Sequence, residues 1–347
     1  MTKRRCILVH KGLATFTQGD IDLLRETHEV VVLANRFPSG AMSLLGQFEL
    51  LLRVLWYLPG SAFLFVWFAD YHSLLPCAAA RLLGKPAYVV IGGFDAAHLP
   101  EFNYGGHQSA FRSWCIRTTC RLATRVLPVS EFTRRCLSGF VSAAVMDKAK
   151  MIYNGVDFER FYLKEAVCPP SVITICGAES VDRLRLKGGD VFVAAANDNP
   201  DLPFVIVGVQ GAAERWVRER ASENLTILPW VKHGELPALL NEQTVVCQFS
   251  RYESFGVALV EGMACGCVPV GCSFTATGEL IAGAPGVVVA ELTPEVVSAA
   301  VREAVGLASP AVARAVRAHV VSRFSRERRR EALRELLGLR SEGSGQS

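Results

Sequence analysis

Two glutamates, Glu253 and Glu261, stand eight positions apart in "SRYESFGVALVEGMACGCVPV", residues 250–270, and the run "VALVEGMACGCVPV" holds no charge besides Glu261. An ionised carboxylate only accepts hydrogen bonds, so it matches a pair of neighbouring sugar hydroxyls, which can donate two. The spacing alone also fits two solvated acids near a helix. The apolar surroundings favour a Glu261 turned toward a ligand. The strand-like run "TVVCQFS" precedes the loop "RYES", and "FGVALVEGMAC" follows as a helix with Gly256 at its mouth. The unpaired N–H groups and dipole of such a helix start suit phosphate oxygens.

The elements that position these residues are legible as an alternation. "RCILVH", "HEVVVLA", "AFLFVWFAD", "AYVVIGG", "RVLPVS" and "KMIYNG" are predicted strands in the first half, and "VITICGA", "PFVIVGV", "NLTILPW", "TVVCQFS" and "CVPVGC" in the second. Runs that are apolar throughout fit parallel strands covered on both faces, and helix-periodic segments separate them. With 347 residues, the chain exceeds what one core usually sustains. The reading is α/β: two doubly wound Rossmann-like domains facing across a cleft, over 1–160 and 161–323. A helix and tail over 324–347 cross back to the first domain. Ligands of such sheets sit outside the carboxyl ends of the strands. "VLWYLPGSAFLFVWFA", residues 54–69, is short of a membrane span and interrupted by Pro59-Gly60, so it reads as a helix end, a turn and a buried strand.

Other chemistry is bounded by what the sequence lacks. The eleven cysteines are scattered, odd in number and without a Cys-x-x-Cys pair, as expected of reduced core thiols rather than a disulfide framework or metal site. No Gly-x-Gly-x-x-Gly follows the first strand, which disfavours a dinucleotide-dependent dehydrogenase. The loop "HKGLATFTQGD" after the first strand can bring backbone N–H groups at Gly12 near a phosphate. In "VVIGGFDAAHLPEFNYGG", Asp95 and His98 are predicted to face the cleft.

The stretch "SRYESFGVALVEGMACGCVPVG" resembles the glutamate-x7-glutamate signature of the family 4 retaining glycosyltransferases of the GT-B fold. "VLPVSEFTRRCL", "KAKMIYNGVDFERF", "LKGGDVFVAAA", "NLTILPWVKHGELPALLNEQTVVCQFS" and "SRFSRERRREALREL" agree in order and spacing, so the resemblance covers roughly residues 5–340. It implies that Glu253 contacts hydroxyls of the transferred sugar and Glu261 the ribose diol. Lys187 would grip the donor diphosphate together with Arg183 or Arg185, of which Arg183 is favoured because Arg185 lies only two positions from Lys187. Gly12, Val231, Ser254, Phe255, Gly256 and Val257 are implied on the donor nucleotide. Relatives commonly carry a histidine at the strand end where Gly92-Gly93 stand here, so Asp95, counted with the catalytic residues, and His98 are expected on the acceptor side. The family also commonly has a proline at the position of Pro269.

The implied activity is transfer of a sugar, with retained configuration, from a nucleotide sugar (UDP- ahead of GDP-) to a glycan, lipid-linked or small-molecule hydroxyl. No cofactor or metal is required. A glycosyltransferase-like subunit that binds nucleotide sugars without turnover is the alternative. Net charge is +4, yet residues 1–160 hold 18 Lys and Arg against 12 Asp and Glu, a balance of +6. Nucleic acid is not an expected partner. In "FRSWCIRTTCRLATR", residues 111–125, Arg112, Arg117, Arg121 and Arg125 fall near one helix face. This suggests either peripheral contact with an anionic membrane or a solvated basic surface. The opening "MTKRRCILVHKGLATF" shows no apolar signal region, so a cytoplasmic protein is expected.

Overall fold

A computed structural model describes residues 3–35, 43–164 and 169–339. The chain divides into two compact units, Met1–Tyr153 with Arg330–Ser347, and Asn154–Arg329.

The first unit runs β1 (Arg4–His10), α1 (Thr15–Thr27), β2 (His28–Ala34), α2 (Ser43–Tyr57), β3 (Ser61–Trp67) and α3 (Tyr71–Leu82). It continues through β4 (Ala87–Ile91), α4 (Ala110–Leu122), β5 (Arg125–Pro128), α5 (Glu131–Ser138) and α6 (Ala143–Met146). Its strands are parallel in the order β2-β1-β3-β4-β5. Ile7, Leu8 and Val9 of β1 and Leu64, Phe65 and Val66 of β3 are completely buried, as unbroken apolar runs require of strands covered on both faces. Asp70 caps α3, accepting from the Tyr71 N–H, and Ser109 and Ser130 cap α4 and α5.

Two expectations fail here for local reasons. "KMIYNG" does not form a sixth strand. Lys150 and Ile152 donate to the carbonyls of Val126 and Pro128, at 2.9 and 3.0 Å, but Pro128 has no N–H to return and only one bridge, Val126 to Ala149, results. The basic helix predicted over 111–125 stops at Leu122, and Arg125 opens β5 instead.

The second unit runs β6 (Val172–Ala178), α7 (Val181–Leu186), α8 (Gly189–Asp198), β7 (Phe204–Val209), α9 (Gly211–Arg218), β8 (Leu225–Leu228) and α10 (Leu236–Leu240). Then come β9 (Val245–Cys247), α11 (Val257–Ala264), β10 (Val268–Cys272), α12 (Ala276–Ile281), β11 (Val287–Val289), α13 (Pro294–Leu307) and α14 (Pro310–Phe324). Its six strands lie in the order β11-β10-β9-β6-β7-β8, all parallel. Pro269 is tolerated inside β10 because the ladder to β11 begins one residue later, at Val270 opposite Val287. Its ring fills the place of a side chain at Gly286, where a Cβ would lie 2.7 Å from the proline Cγ.

The last helix, α15 (Arg326–Leu336), begins in the second unit and ends in the first. Beyond the division at Arg330, Leu333 is buried, Arg330 pairs with Glu26 at 2.9 Å and Glu335 with Lys150 at 2.8 Å. Among the described residues no single helix is long and apolar enough to cross a membrane. The ten described cysteines are free, and burial pushes the thiols of Cys6 and Cys77 up to about 12; Cys168 lies outside the described residues.

Candidate active site

The two glutamates are placed by the crossing from β9 into α11. Gly256 opens α11 with φ +92°, where an L side chain is strained and a Cβ would press to 2.9 Å from Gln248 Oε1. Lys187 is brought to the same place by Gly188, whose φ is +73° and whose Cβ would overlap the Phe249 carbonyl just beyond β9. Lys187 Nζ donates to Glu253 Oε2 at 2.8 Å, Gln248 Nε2 donates to the same oxygen at 2.6 Å, and Ser250 Oγ at 3.4 Å. Burial pushes the Glu253 carboxyl up, but Lys187, Arg183 and Ser250 together outweigh it and hold the group below the usual carboxylate range. Glu253 is therefore an ionised acceptor in a nearly dry setting. Arg251 pins the surrounding loops, with two bonds of 2.8 Å to Asp190 and a third to the Arg185 carbonyl.

Glu261 lies on α11 with its side chain only 6 % exposed, and its Oε1 sits 2.7 Å from His233 Nε2. Arg160 Nη1 lies 3.0 Å from His233 Nδ1. A guanidinium only donates, so Nδ1 accepts and the ring proton sits on Nε2, directed at Glu261. Burial raises the Glu261 carboxyl, and His233 and Arg160 pull it back only in part. The sequence did not single out His233, Arg160 or Gln248.

At the carboxyl ends of β6 and β7 a cavity of about 410 Å³ is lined by Gly177, Ala178, Glu179, Ser180, Arg183, Gly208, Gln210 and Trp230. Trp230 is 65 % exposed and lies over two glycines. A Cβ at Gly177 would stand 3.6 Å, and one at Gly208 3.3 Å, from its ring. Of the two candidate arginines, Arg183 lines this cavity and acts on Glu253, whereas Arg185 is exposed. Val231 is half-buried in the loop after Trp230, and Val257 begins α11. Phe255 is buried edge-on against Phe324, 5.7 Å between centroids, so its ring serves the core. Ser254 is half-buried beside it.

The first unit holds Gly12, Asp95 and His98. Gly12 is exposed with open space about it, and His98 is exposed. Asp95 differs from the expectation of an open acceptor-facing carboxylate. It is completely buried, its oxygens accept from the Ala69 and Gly93 N–H groups at 3.0 and 2.8 Å, and burial pushes its carboxyl up to about 7. It ties the ends of β3 and β4 together and touches nothing at the surface. Nearby, Asp70 pairs with Lys11 at 3.0 Å and Arg112 at 3.1 Å, and the Arg112 guanidinium lies 4.6 Å from the Tyr71 ring.

Residues 179–312, which include Arg183, Lys187, Glu253 and Glu261, match the family model described as glycosyl transferases group 1. The GDP-mannose:cellobiosyl-diphosphopolyprenol alpha-mannosyltransferase of Xanthomonas campestris is 26 % identical over 215 residues, 58 % of this chain and 52 % of that protein. The alpha-maltose-1-phosphate synthase of Mycolicibacterium smegmatis is 29 % identical over 207 residues, 51 % of this chain and 50 % of that one. The chain thus spans about half the length of the curated relatives it matches. Among solved structures, Anabaena HepE in complex with UDP-glucose aligns with TM-score 0.75 at 17 % identity, over 96 % of this chain and 99 % of that one. The sucrose-phosphate synthase of Thermosynechococcus elongatus aligns with TM-score 0.77 at 16 % identity, over 96 % and 98 %. The chain has the GT-B fold, and its residues 179–312 are similar to the glycosyl transferases group 1.

Proposed function

We propose that the protein is a retaining, metal-independent glycosyltransferase that moves a sugar from a nucleotide donor, UDP-linked ahead of GDP-linked, to a hydroxyl of a glycan, lipid-linked or small-molecule acceptor. One observation carries the reading: Lys187, with Arg183 acting on the same group, meets Glu253 beside the strand ends, while Glu261 stands eight residues on along α11. Two cations can take the charge that builds on a departing diphosphate, the step where preorganised electrostatics counts most. Glu253 would then accept from sugar hydroxyls and Glu261 from the ribose diol. The exposed Trp230 face suits the nucleotide base by stacking. Asp95 enters as a brace for its loop, His98 as an acceptor-side candidate and Gly12 as a donor-side candidate.

The mannosyltransferase named above favours a second reading, a GDP-mannose donor and a lipid-linked acceptor, whereas the HepE structure holds UDP-glucose. Work in the cytoplasm, with peripheral contact to an anionic membrane, belongs to either reading. The test is thermal stabilisation and slow hydrolysis across UDP-, GDP- and ADP-sugars in EDTA, with Glu253→Gln as the inactive reference. Stabilisation by none of them defeats the proposal. Stabilisation without turnover in any acceptor mixture leaves the silent-subunit alternative, and turnover lost in EDTA and restored by magnesium or manganese defeats metal independence.

A further inference from the structure

Helix α2 is apolar on the side it turns outward as well as on the side it buries. Gly46, Leu50 and Val54 face the core. Leu44, Leu45, Phe48, Leu52, Leu55 and Trp56 are exposed, Phe48 by 59 %, Leu52 by 52 % and Trp56 by 81 %. At 100° per residue these six positions fall within an arc of about 120°. A surface helix of a water-surrounded domain ordinarily carries its charges there. The apolar surface continues sideways, since α3 packs on α2 and α4 on α3. Leu75 and Leu82 of α3, Leu83 just beyond it, and Phe111 and Trp114 of α4 are also exposed. A patch of this extent marks an interaction surface.

The charge of the same layer selects the occupant. Helices α2, α3 and α4 carry five arginines, Arg53, Arg81, Arg112, Arg117 and Arg121, and a single acid, Glu49. Arg112 is turned inward to Asp70 and Arg53 lies 4.0 Å from Glu49, while Arg81, Arg117 and Arg121 are exposed. A second copy of this face would set arginine against arginine. An anionic bilayer offers phosphates to the arginines and acyl chains to the stripe. We propose that the α2–α4 layer docks on an anionic lipid bilayer, with α2 lying in the interface on Phe48, Leu52 and Trp56, and Arg81, Arg117 and Arg121 at the phosphates. The apolar contact is thus moved from the 111–125 segment to α2, and α4 supplies mainly charge. The proposal rests on the peripheral membrane contact named with the transferase reading and assigns it a face; vesicle binding without donor is measured apart from transfer, so either can fail alone.

The test is co-sedimentation of the full chain, without donor, with vesicles of phosphatidylcholine alone and of phosphatidylcholine mixed with phosphatidylglycerol. The wild type is expected to pellet with the mixed vesicles and to be released by salt. Leu52→Ser with Trp56→Ser should lower partitioning roughly a hundredfold, and Arg117→Glu with Arg121→Glu roughly tenfold or more. All four positions are exposed, and unchanged circular-dichroism melting confirms folding. Binding to neither vesicle, equal binding to both, or variants that bind like the wild type would overturn the proposal. So would a wild-type dimer that the α2 variant turns into a monomer in sedimentation velocity, which assigns the face to a second copy.

Discussion

Replacing Glu261 by glutamine isolates the charge of that carboxylate from its role in the fold. In the wild type, Oε1 receives the His233 Nε2 proton at 2.7 Å from a nearly buried position. The amide oxygen of Glu261→Gln can take the same bond with the same shape, so stability should change by no more than about 0.5 kcal/mol. A bound ribose diol, however, loses a charged acceptor in a site that excludes water. Hydrogen bonds to charged groups contribute about 1.5–3 kcal/mol and neutral ones about 1, so the loss is about 1–2 kcal/mol, or roughly 5–30-fold in Kd. Isothermal titration with UDP and GDP, without acceptor, reads this directly. Glu253→Gln, assigned to the sugar, should leave the Kd of the free diphosphate within about threefold while stopping transfer. His233→Ala tests the support: without its donor the already raised Glu261 carboxyl rises further, so on lowering the pH nucleotide affinity should begin to fall earlier than in the wild type. A Kd for Glu261→Gln within twofold of wild type, or equal losses in both glutamine variants, would refute the division of roles.

Lys187→Met leaves a buried carboxylate without its cation and should destabilise the second unit by about 3 kcal/mol in urea melts; adding Glu253→Gln should recover part of this, and strictly additive losses would count against the pairing. Trp230→Ala should weaken nucleotide binding by about 1–2 kcal/mol, with Trp230→Phe losing less; an unchanged Kd removes the ring from the site. His72 is buried and desolvation lowers it to about 4, so below its unfolded value near 6.5 the unfolded state binds the extra proton. Stability from neutral His72 is therefore full above about pH 6.5 and is lost toward pH 4. Going from pH 7 to 5 should cost the wild type about 2 kcal/mol more than His72→Gln; parallel losses contradict the assignment.

The βαβ alternation was legible because buried parallel strands leave unbroken apolar runs, and "VITICGA" and "PFVIVGV" are strands as expected, paired with one another in the structure. Glu261 stood out as the lone charge of an apolar run, whereas Glu253 and Lys187 were marked by the family resemblance. Their meeting across 66 positions depends on Gly188 passing the Phe249 carbonyl, a close approach that the "KG" element hints at without stating. His233 and Arg160 gave no such signal. They are 73 positions apart, and a lone histidine in a polar loop looks the same whether or not it orients a carboxylate. Asp95 was misplaced because spacing cannot tell which acid the local N–H groups will consume. "KMIYNG" has a strand's composition, and its failure lies in a partner, Pro128, that cannot return a hydrogen bond. The three valines of β11 were too short to register as a strand.

Helix α15 fixes an order of events during synthesis. The second unit is one unbroken segment, Asn154–Arg329, whereas the first needs residues from Arg330 onward, among them Leu333 and the partners of Glu26 and Lys150. As the chain leaves the ribosome, the segment up to Tyr153 therefore waits for one made later. At ~5–20 residues per second the intervening segment takes on the order of 10–35 s. Throughout that interval the seat of Leu333 is open to water and to chaperones, while the second unit, complete in itself, can close before it. Maturation of the first unit is thus tied to completion of α15, and a ribosome stalled within the second unit releases a protein whose N-terminal half has never been finished.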